Sequence, residues 1–355
     1  MSIVDGRPSV AVVGATGLVG RTMLRVLLER GFPAREIRTL ASARSAGSEV
    51  TMEGRSFTVA EATAEAFEGV DICLFSAGGD LSRTLAPLAV ERGAVVIDNS
   101  SAWRMEPDVP LVVSQVNPED LDWHHGIIAN PNCSTMQLAP LLGALRDAVG
   151  LRRVIVDTYQ SVSGTGSEAI EEMEGQVRAH VAGKKPVASV YPHPIAFNAL
   201  PEIDTFMENG YTREEWKIVA ESRKILHLPD LALSCTAVRV PVLISHSEAV
   251  HVETTRPISP EEARALFAGV AGVEVIDEPA SHRYPLAMDA AGRDEIFVGR
   301  IRADVSLPDG HGLAFWVVAD NLRKGAATNA VELAELLISR ASVDRGVAQR
   351  HEPGG

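Results

Sequence analysis

The stretch PSVAVVGATGLVGRTMLRVLLERG, residues 8–31, restricts the fold more than any other part of the chain. A short run of small and β-branched apolar residues is followed by a glycine turn, then by apolar residues at helical spacing. That is a buried strand, a tight turn and a helix. The turn is Gly14-Ala15-Thr16-Gly17-Leu18-Val19-Gly20. Small residues there let a backbone approach a pyrophosphate, whose charge the amides of a helix N-terminus can meet. Gly14, Thr16, Gly17, Leu18 and Val19 are therefore candidate dinucleotide contacts. A tight turn with no ligand is the competing reading.

The same form recurs. IRTLAS, VDICLFSAG and AVVIDNS are short strands ending in small or polar residues, and LSRTLAPLAVERG is a helix stopped by glycine. LVVSQV and GIIANP offer further strands. Strands alternating with helices build a mostly parallel, doubly wound sheet. After Cys133 the stretches LRRVIVDTYQSVSG, LSCTAVRVPVLISHSEAVHVETT and LAFWVVAD are longer and partly alternating, which suits an α+β domain. Helices are expected after SGTGSEAI, within TREEWKIVAESRKIL and over GAATNAVELAELLISR, with a frayed tail over DRGVAQRHEPGG. The last helix can pack back on the first domain, so the domain boundary need not be a single cut.

The second strand bears on the choice of nucleotide. An NAD site places an acid near its end to hold the ribose hydroxyl, whereas LASARSAGSEV offers Ser42 and Arg44 before any acid. Arg44 can pair with a 2′-phosphate that a carboxylate would repel, which favours NADP over NAD. A solvated loop arginine is the alternative.

At 355 residues the chain is long enough for two domains. Its net charge of -14 argues against a general nucleic-acid surface and leaves room for a local basic pocket. No apolar run approaches the ~20 residues that span a bilayer. The first residues lack the basic, apolar and cleavage-site order of a secretory leader, so the cytoplasm is the expected address. Three cysteines, Cys73, Cys133 and Cys235, do not make a disulfide framework.

ANPNCSTMQLAP puts Cys133 at a loop-to-helix junction, where helix amides favour a thiolate. A thiolate can attack an aldehyde or an activated acyl group, and a nicotinamide can exchange hydride at that carbon. Cys73 and Cys235 read as strand packing. Cys133 needs a proton partner, and His246 in RVPVLISHS is the best candidate. Arg239 and His246 are seven residues apart, an odd interval that puts them on opposite faces of a simple strand unless a turn or bulge near Pro241 brings them together. His193 lies among prolines, and no Cys, His and Asp set has zinc spacing, so no metal is expected. The candidate cations are Arg104 in NSSAWRM, Lys224 in AESRKIL and Arg239. Glu221 and Lys224 stand at i,i+3 and can face one pocket, or can simply pair on a helix surface.

In order and spacing, GATGLVG, SARSAG, FSAGG, NSSAWRM, NPNCSTMQ, YQSVSGTG, YPHPIAFN, ESRKIL, VRVPVLISHSE and DNLRKGAATNAV resemble the aspartate-semialdehyde dehydrogenases over nearly the whole chain. The resemblance implies an α/β protein with a Rossmann-type NADP-binding domain over 1–132 and an α+β catalytic and dimerisation domain over 133–325. A helix over 326–345 would return to the first domain. It further implies a homodimer that uses NADPH to reduce L-aspartyl 4-phosphate to L-aspartate 4-semialdehyde, with release of phosphate. By resemblance Cys133 is the nucleophile and His246 the acid/base. Arg239 and Glu221 hold the substrate's carboxylate and amino group. Arg104 and Lys224 hold the phosphate, with Asn132 beside them, and Gln160 orients the substrate. Ser163, Gly164 and Asn321 touch the cofactor. Developing oxygen charge would fall to backbone amides or Asn132. LDWHHG has no assignable function.

Two enzymatic rivals are an N-acetyl-γ-glutamyl-phosphate reductase and a phosphorylating dehydrogenase of sugar phosphates. ESRKIL with VRVPVLISHSE disfavours both, since it supplies handles for a free amino group and a carboxylate. A nucleotide-sensing protein without catalysis leaves Cys133, His246 and the arginines unexplained.

Overall fold

The computed structural model describes residues 6–349, and side chains as far as residue 341. The chain divides into two compact units, one of residues 1–131 with 326–355 and one of residues 132–325.

Among the described residues of the first unit, seven strands form one sheet. They are β1 (Ser9–Val13), β2 (Glu36–Ala41), β3 (Glu49–Met52), β4 (Arg55–Glu61), β5 (Ile72–Phe75), β6 (Val95–Asp98) and β7 (Ile127–Ala129), in the order β3-β4-β2-β1-β5-β6-β7. All neighbours run parallel except the antiparallel β3–β4 edge. Strand β1 is buried along its whole length, as expected for a sheet covered on both faces. Helices α1 (Leu18–Glu29) and α2 (Gly79–Glu91) are the crossovers. The edge hairpin turns at Glu53-Gly54, both with positive φ, and its strands alternate buried and exposed residues.

LVVSQV is not a strand. Only Leu111 bridges to Ala129, and the amide of Val113 is taken instead by the side chain of Asn117. LDWHHG closes a short 3-10 segment. Gly126, at φ 100, donates its N–H to His124 Nδ1, so this motif is turn chemistry. The chain re-enters the first unit through a π-helical turn, Arg323–Thr328, before the last helix, whose inward residues Ala330, Val331, Ala334 and Leu337 join the core of Val10, Val12 and Leu24. Asn329 ties that entry down: its Nδ2 donates to Val112 O and Asn130 Oδ1, and its Oδ1 accepts from Ser114 N. The tail expected to fray is helical backbone as far as Gln349. Residues 350–355 lie outside the described residues.

The second unit opens with α3 (Cys133–Val149) and is built on β8 (Leu151–Gln160), β9 (Ala232–Arg239), β10 (His246–Thr254), β11 (Val273–Val275), β12 (Ile296–Ala303) and β13 (Gly312–Ala319). Their order is β11-β12-β13-β10-β8-β9, a mixed sheet. Helix α4 (Ser167–Val181) follows β8. Helix α5 (Arg213–Ile225) begins at a capping box in which Thr212 and Glu215 satisfy each other's backbone amides. The stretch after Leu233 is thus two strands with a connection over 240–245, both bordering β8.

The glycine turn is close-packed. A Cβ on Gly20 would lie 2.1 Å from Gly14 O, and one on Gly14 2.6 Å from Ser76 O. Gly20→Ala should therefore lower unfolding stability by roughly 1–3 kcal/mol through overpacking, read from urea denaturation. Unchanged stability would contradict this packing.

Candidate active site

Strand β8 organises the second unit's polar centre. On one side Gln160 pairs with Arg239 of β9; on the other Tyr159 pairs with Ser247 of β10, so His246 stands one step on, beside Gln160. Arg239 and His246 therefore converge by flanking the same strand end. The connection between them folds over that end, with Val162 N donating to Val242 O and Ser163 N to Leu243 O. It is not a bulge within one strand.

Ser245, just before His246, holds φ 80, a conformation costly for a residue with a Cβ. Its N–H donates to Asn321 Oδ1, which also accepts from Ser161 Oγ and Ser163 Oγ. Asn321 thus fixes the backbone that presents His246. Gly164 completes the wall: a Cβ there would come within 3.0 Å of Arg239 Nη1 and 3.3 Å of His246 Nε2.

His246 is fully buried. Ser161 N donates to its Nδ1 at 3.0 Å. A backbone N–H can only donate, so Nδ1 is bare and the neutral ring carries its proton on Nε2. Nε2 is buried and makes no hydrogen bond among the described residues. Burial, reinforced by the charge of Arg239, pulls the imidazole pKa down to about 3, against a smaller upward pull from Glu214. His246 is a neutral N–H donor at neutral pH. To accept a proton at Nε2 it would first have to give up the Ser161 bond. Arg239 donates from Nη1 to Ser161 O at 2.7 Å and lies over the Tyr191 ring.

Cys133 is the first residue of α3, half-buried, with no acidic side chain in the helix's first turn. The helix N-terminus at that end favours its thiolate. Asn132 is the N-cap. Its Oδ1 accepts from Ser134 N, its Nδ2 donates to Glu214 Oε1 at 2.9 Å, and its own N–H donates to Glu221 Oε2 at 2.6 Å. Gln160 Nε2 donates to the same Glu214 oxygen at 3.0 Å, and Gln160 Oε1 accepts from Thr158. Glu221 and Lys224 lie a turn apart on α5, Glu221 buried and Lys224 half-buried. Gly325 backs Cys133, since a Cβ there would meet Cys133 Cβ at 3.0 Å. Cys73 and Cys235 are buried, and burial pushes both thiols far up, so neither competes as a thiolate.

Cys133, Asn132, Gln160, Glu221, Arg239, His246, Ser163, Gly164 and Asn321 are linked within the second unit, where Lys224 also lies, a turn beyond Glu221 on α5. The remaining candidates belong to the first unit. There Gly14, at φ 84, opens the turn into α1, whose N-cap Gly17 has no capping side chain, leaving the helix amides open to an anion. Ser42 and Arg44 are exposed beyond β2, with no acidic side chain before Glu49. Arg104 is buried and donates to Asn130 O and Asn99 O, which ties two loops together. The residues missed in the sequence are Ser161 and Glu214. Glu214, Ile218, Glu221 and Ile225 form a buried stripe on α5, and that spacing was the available signal for Glu214.

Fold and site together define a semialdehyde dehydrogenase. The family model for the semialdehyde dehydrogenase NAD binding domain matches residues 9–124, and that for the semialdehyde dehydrogenase dimerisation domain matches residues 142–324. The chain is 54% identical to aspartate-semialdehyde dehydrogenase of Aquifex aeolicus, covering 94% of this chain and 99% of that one. It is 49% identical to that of Bacillus subtilis, covering 92% and 96%. A crystal structure of aspartate semialdehyde dehydrogenase II of Vibrio cholerae, complexed with ASA, superposes with a TM-score of 0.90 at 47% identity, covering 94% and 98%. The chain belongs to the aspartate-semialdehyde dehydrogenase family. It is an oxidoreductase of amino-acid biosynthesis that interconverts L-aspartyl 4-phosphate and L-aspartate 4-semialdehyde, on the route shared by lysine, threonine and methionine.

The His246 geometry has a stability consequence with a definite sign. Its folded pKa lies below the ordinary 6.5, so between those values the unfolded chain binds a proton that the folded one refuses. The stabilisation is complete above about pH 6.5 and is lost as pH falls towards the folded pKa. His246→Gln should lose less urea stability than wild type between about pH 7 and pH 4.5. Parallel curves would refute a buried neutral imidazole.

Proposed function

We propose that the reaction proceeds through a thioester on Cys133 and that NADP is the preferred cofactor. The observation that carries the first reading is the hydrogen-bonded cluster around the start of α3. There the thiol heads a helix whose cap, Asn132, is tied through Glu214 to Gln160, between Arg239 and His246.

Cys133 attacks the acyl carbon of the substrate; the C–S bond forms and the bond to phosphate breaks. Bound NADPH supplies the hydride that reduces this carbon. His246 donates a hydrogen bond from Nε2, keeping its proton, to the oxygen that carries negative charge when sulfur adds, and again after hydride transfer until sulfur leaves. Collapse then restores the thiolate and frees the aldehyde. Arg239 is assigned the substrate carboxylate, Glu221 its amino group, and Lys224 the phosphate. For Arg104 at the phosphate, and for Ser163, Gly164 and Asn321 at the cofactor, the support is the resemblance. The proposed assembly is a homodimer through the second unit, in keeping with the matched dimerisation domain. Among the described residues no helix is long and apolar enough to cross a membrane.

The residues of the first unit suit a dinucleotide. Gly14 and Gly20 permit the close-packed turn from β1 into α1, and the α1 amides carry no side-chain cap. Arg44, free of a neighbouring acid, favours a 2′-phosphate. An aspartate semialdehyde dehydrogenase of Candida albicans has been solved with NADP, at 25% identity and a TM-score of 0.73, covering 93% of this chain and 98% of that one.

Folded, reduced protein should reduce NADP in the presence of L-aspartate 4-semialdehyde, with the rate dependent on added phosphate. No turnover, alongside turnover of the acylated glutamate analogue, would sink the assignment. Arg44→Ala should lower kcat/KM for NADP by roughly 10- to 100-fold with little change for NAD, the scale of one charge-assisted hydrogen bond. Equal losses for both would remove Arg44 from the choice of cofactor.

A further inference from the structure

Glu214 lies on the buried side of α5, 6% exposed, and accepts hydrogen bonds on both oxygens. Oε1 takes Asn132 Nδ2 at 2.9 Å and Gln160 Nε2 at 3.0 Å. Oε2 takes Lys217 Nζ at 3.1 Å, and Lys217 also holds Asp204 at 2.8 Å. Burial alone would raise its pKa, but the Lys217 charge and these hydrogen bonds outweigh it and bring it down to about 2. The group is a buried carboxylate with its counter-charge on the solvent side.

We infer that Glu214 is a positioning residue for the reaction, a fixed anionic acceptor that sets which way round the amides of Asn132 and Gln160 stand. The inference rests on the thioester reading of Cys133. An ionised carboxylate can only accept, so each amide must turn its NH2 towards it. Asn132 then has its oxygen left to cap Ser134 N, at the entrance of the helix that Cys133 heads. Gln160 has its oxygen left for Thr158 Oγ1, which holds its side chain at the end of β8, between the strands bearing Arg239 and His246. One oxygen thus ties the helix cap beside Cys133 to the residue flanked by His246 and Arg239. A neutral amide in its place would bring its own NH2 towards Asn132, Gln160 or Lys217, and at least one partner would lose its acceptor. The carboxylate also bears on His246, favouring its charged form against Arg239.

The test is a double-mutant cycle on kcat with Gln160→Leu, each variant first checked for a cooperative melt. Glu214→Gln should lower kcat roughly 10- to 100-fold, with a smaller change in KM, as expected of misplacement beside the reacting atoms. In the Gln160→Leu background the same change should cost less than about twofold, because the two residues act through one contact. Equal losses in both backgrounds would assign Glu214 a role independent of Gln160 and overturn the inference. Glu214→Asp keeps the charge but shortens the reach; it serves where Glu214→Gln does not fold, with the same two outcomes. Failure of both variants to fold would assign Glu214 to the fold alone and also overturn the inference. Cys133→Ser, assayed in parallel, separates the two levels. Turnover by that variant defeats the thioester reading, whereas additivity in an enzyme that Cys133→Ser inactivates defeats only the role of Glu214.

Discussion

The second unit depends on the end of one strand. Strand β8 carries Gln160 as its last residue, with Arg239 delivered alongside by a parallel neighbour and His246 by an antiparallel one. Gln160, distant in sequence from the other two, is thereby fixed beside Arg239 and His246 by backbone pairing, which holds position better than loops do. The Ser161 backbone then serves both neighbours at once, its N–H on His246 and its carbonyl on Arg239. His246 and Arg239 cannot move independently while the backbone of Ser161 stays in place.

The helix cap is the second constraint. Asn132 satisfies an amide of α3 while two further contacts fix its own orientation, so Cys133 enters the helix in one geometry. Buried charge is used sparingly: Glu214 is answered by Lys217 and two amides, and Arg239 by a carbonyl and an aromatic face. Glu248 differs. It is fully buried, and burial pushes its pKa well above the ordinary carboxylate value, against a smaller downward pull from Gln137. An acidic protein can then serve an anionic substrate with a few local cations.

Much of this was legible in the sequence, for physical reasons. Buried parallel strands are short continuous apolar runs, and a glycine turn before a helix leaves few folds open, so the first unit's winding could be read directly. The β3–β4 hairpin was missed because its strands are short and half exposed. LVVSQV was misread because apolar composition does not reveal that Asn117 takes the amide of Val113. In the site, residue types and order pointed to Cys133, His246 and Arg239, but their meeting depends on two strands bordering a third. Spacing cannot show that. Glu214 was hidden because glutamates near a helix start read as solvated dipole partners, and only the helix's phase turns this one inward. Ser161 acts through its backbone, which sequence does not mark at all.

The central claim is that the acyl group passes through sulfur of Cys133. It is tested most directly by mixing the enzyme with L-aspartate 4-semialdehyde and NADP in the absence of phosphate, quenching in acid and locating the adduct by peptide mass spectrometry. NADPH should form in one burst, with an aspartyl thioester on the peptide that contains Cys133. A full burst with Cys133 unmodified, or with the acyl group on another residue, would contradict it.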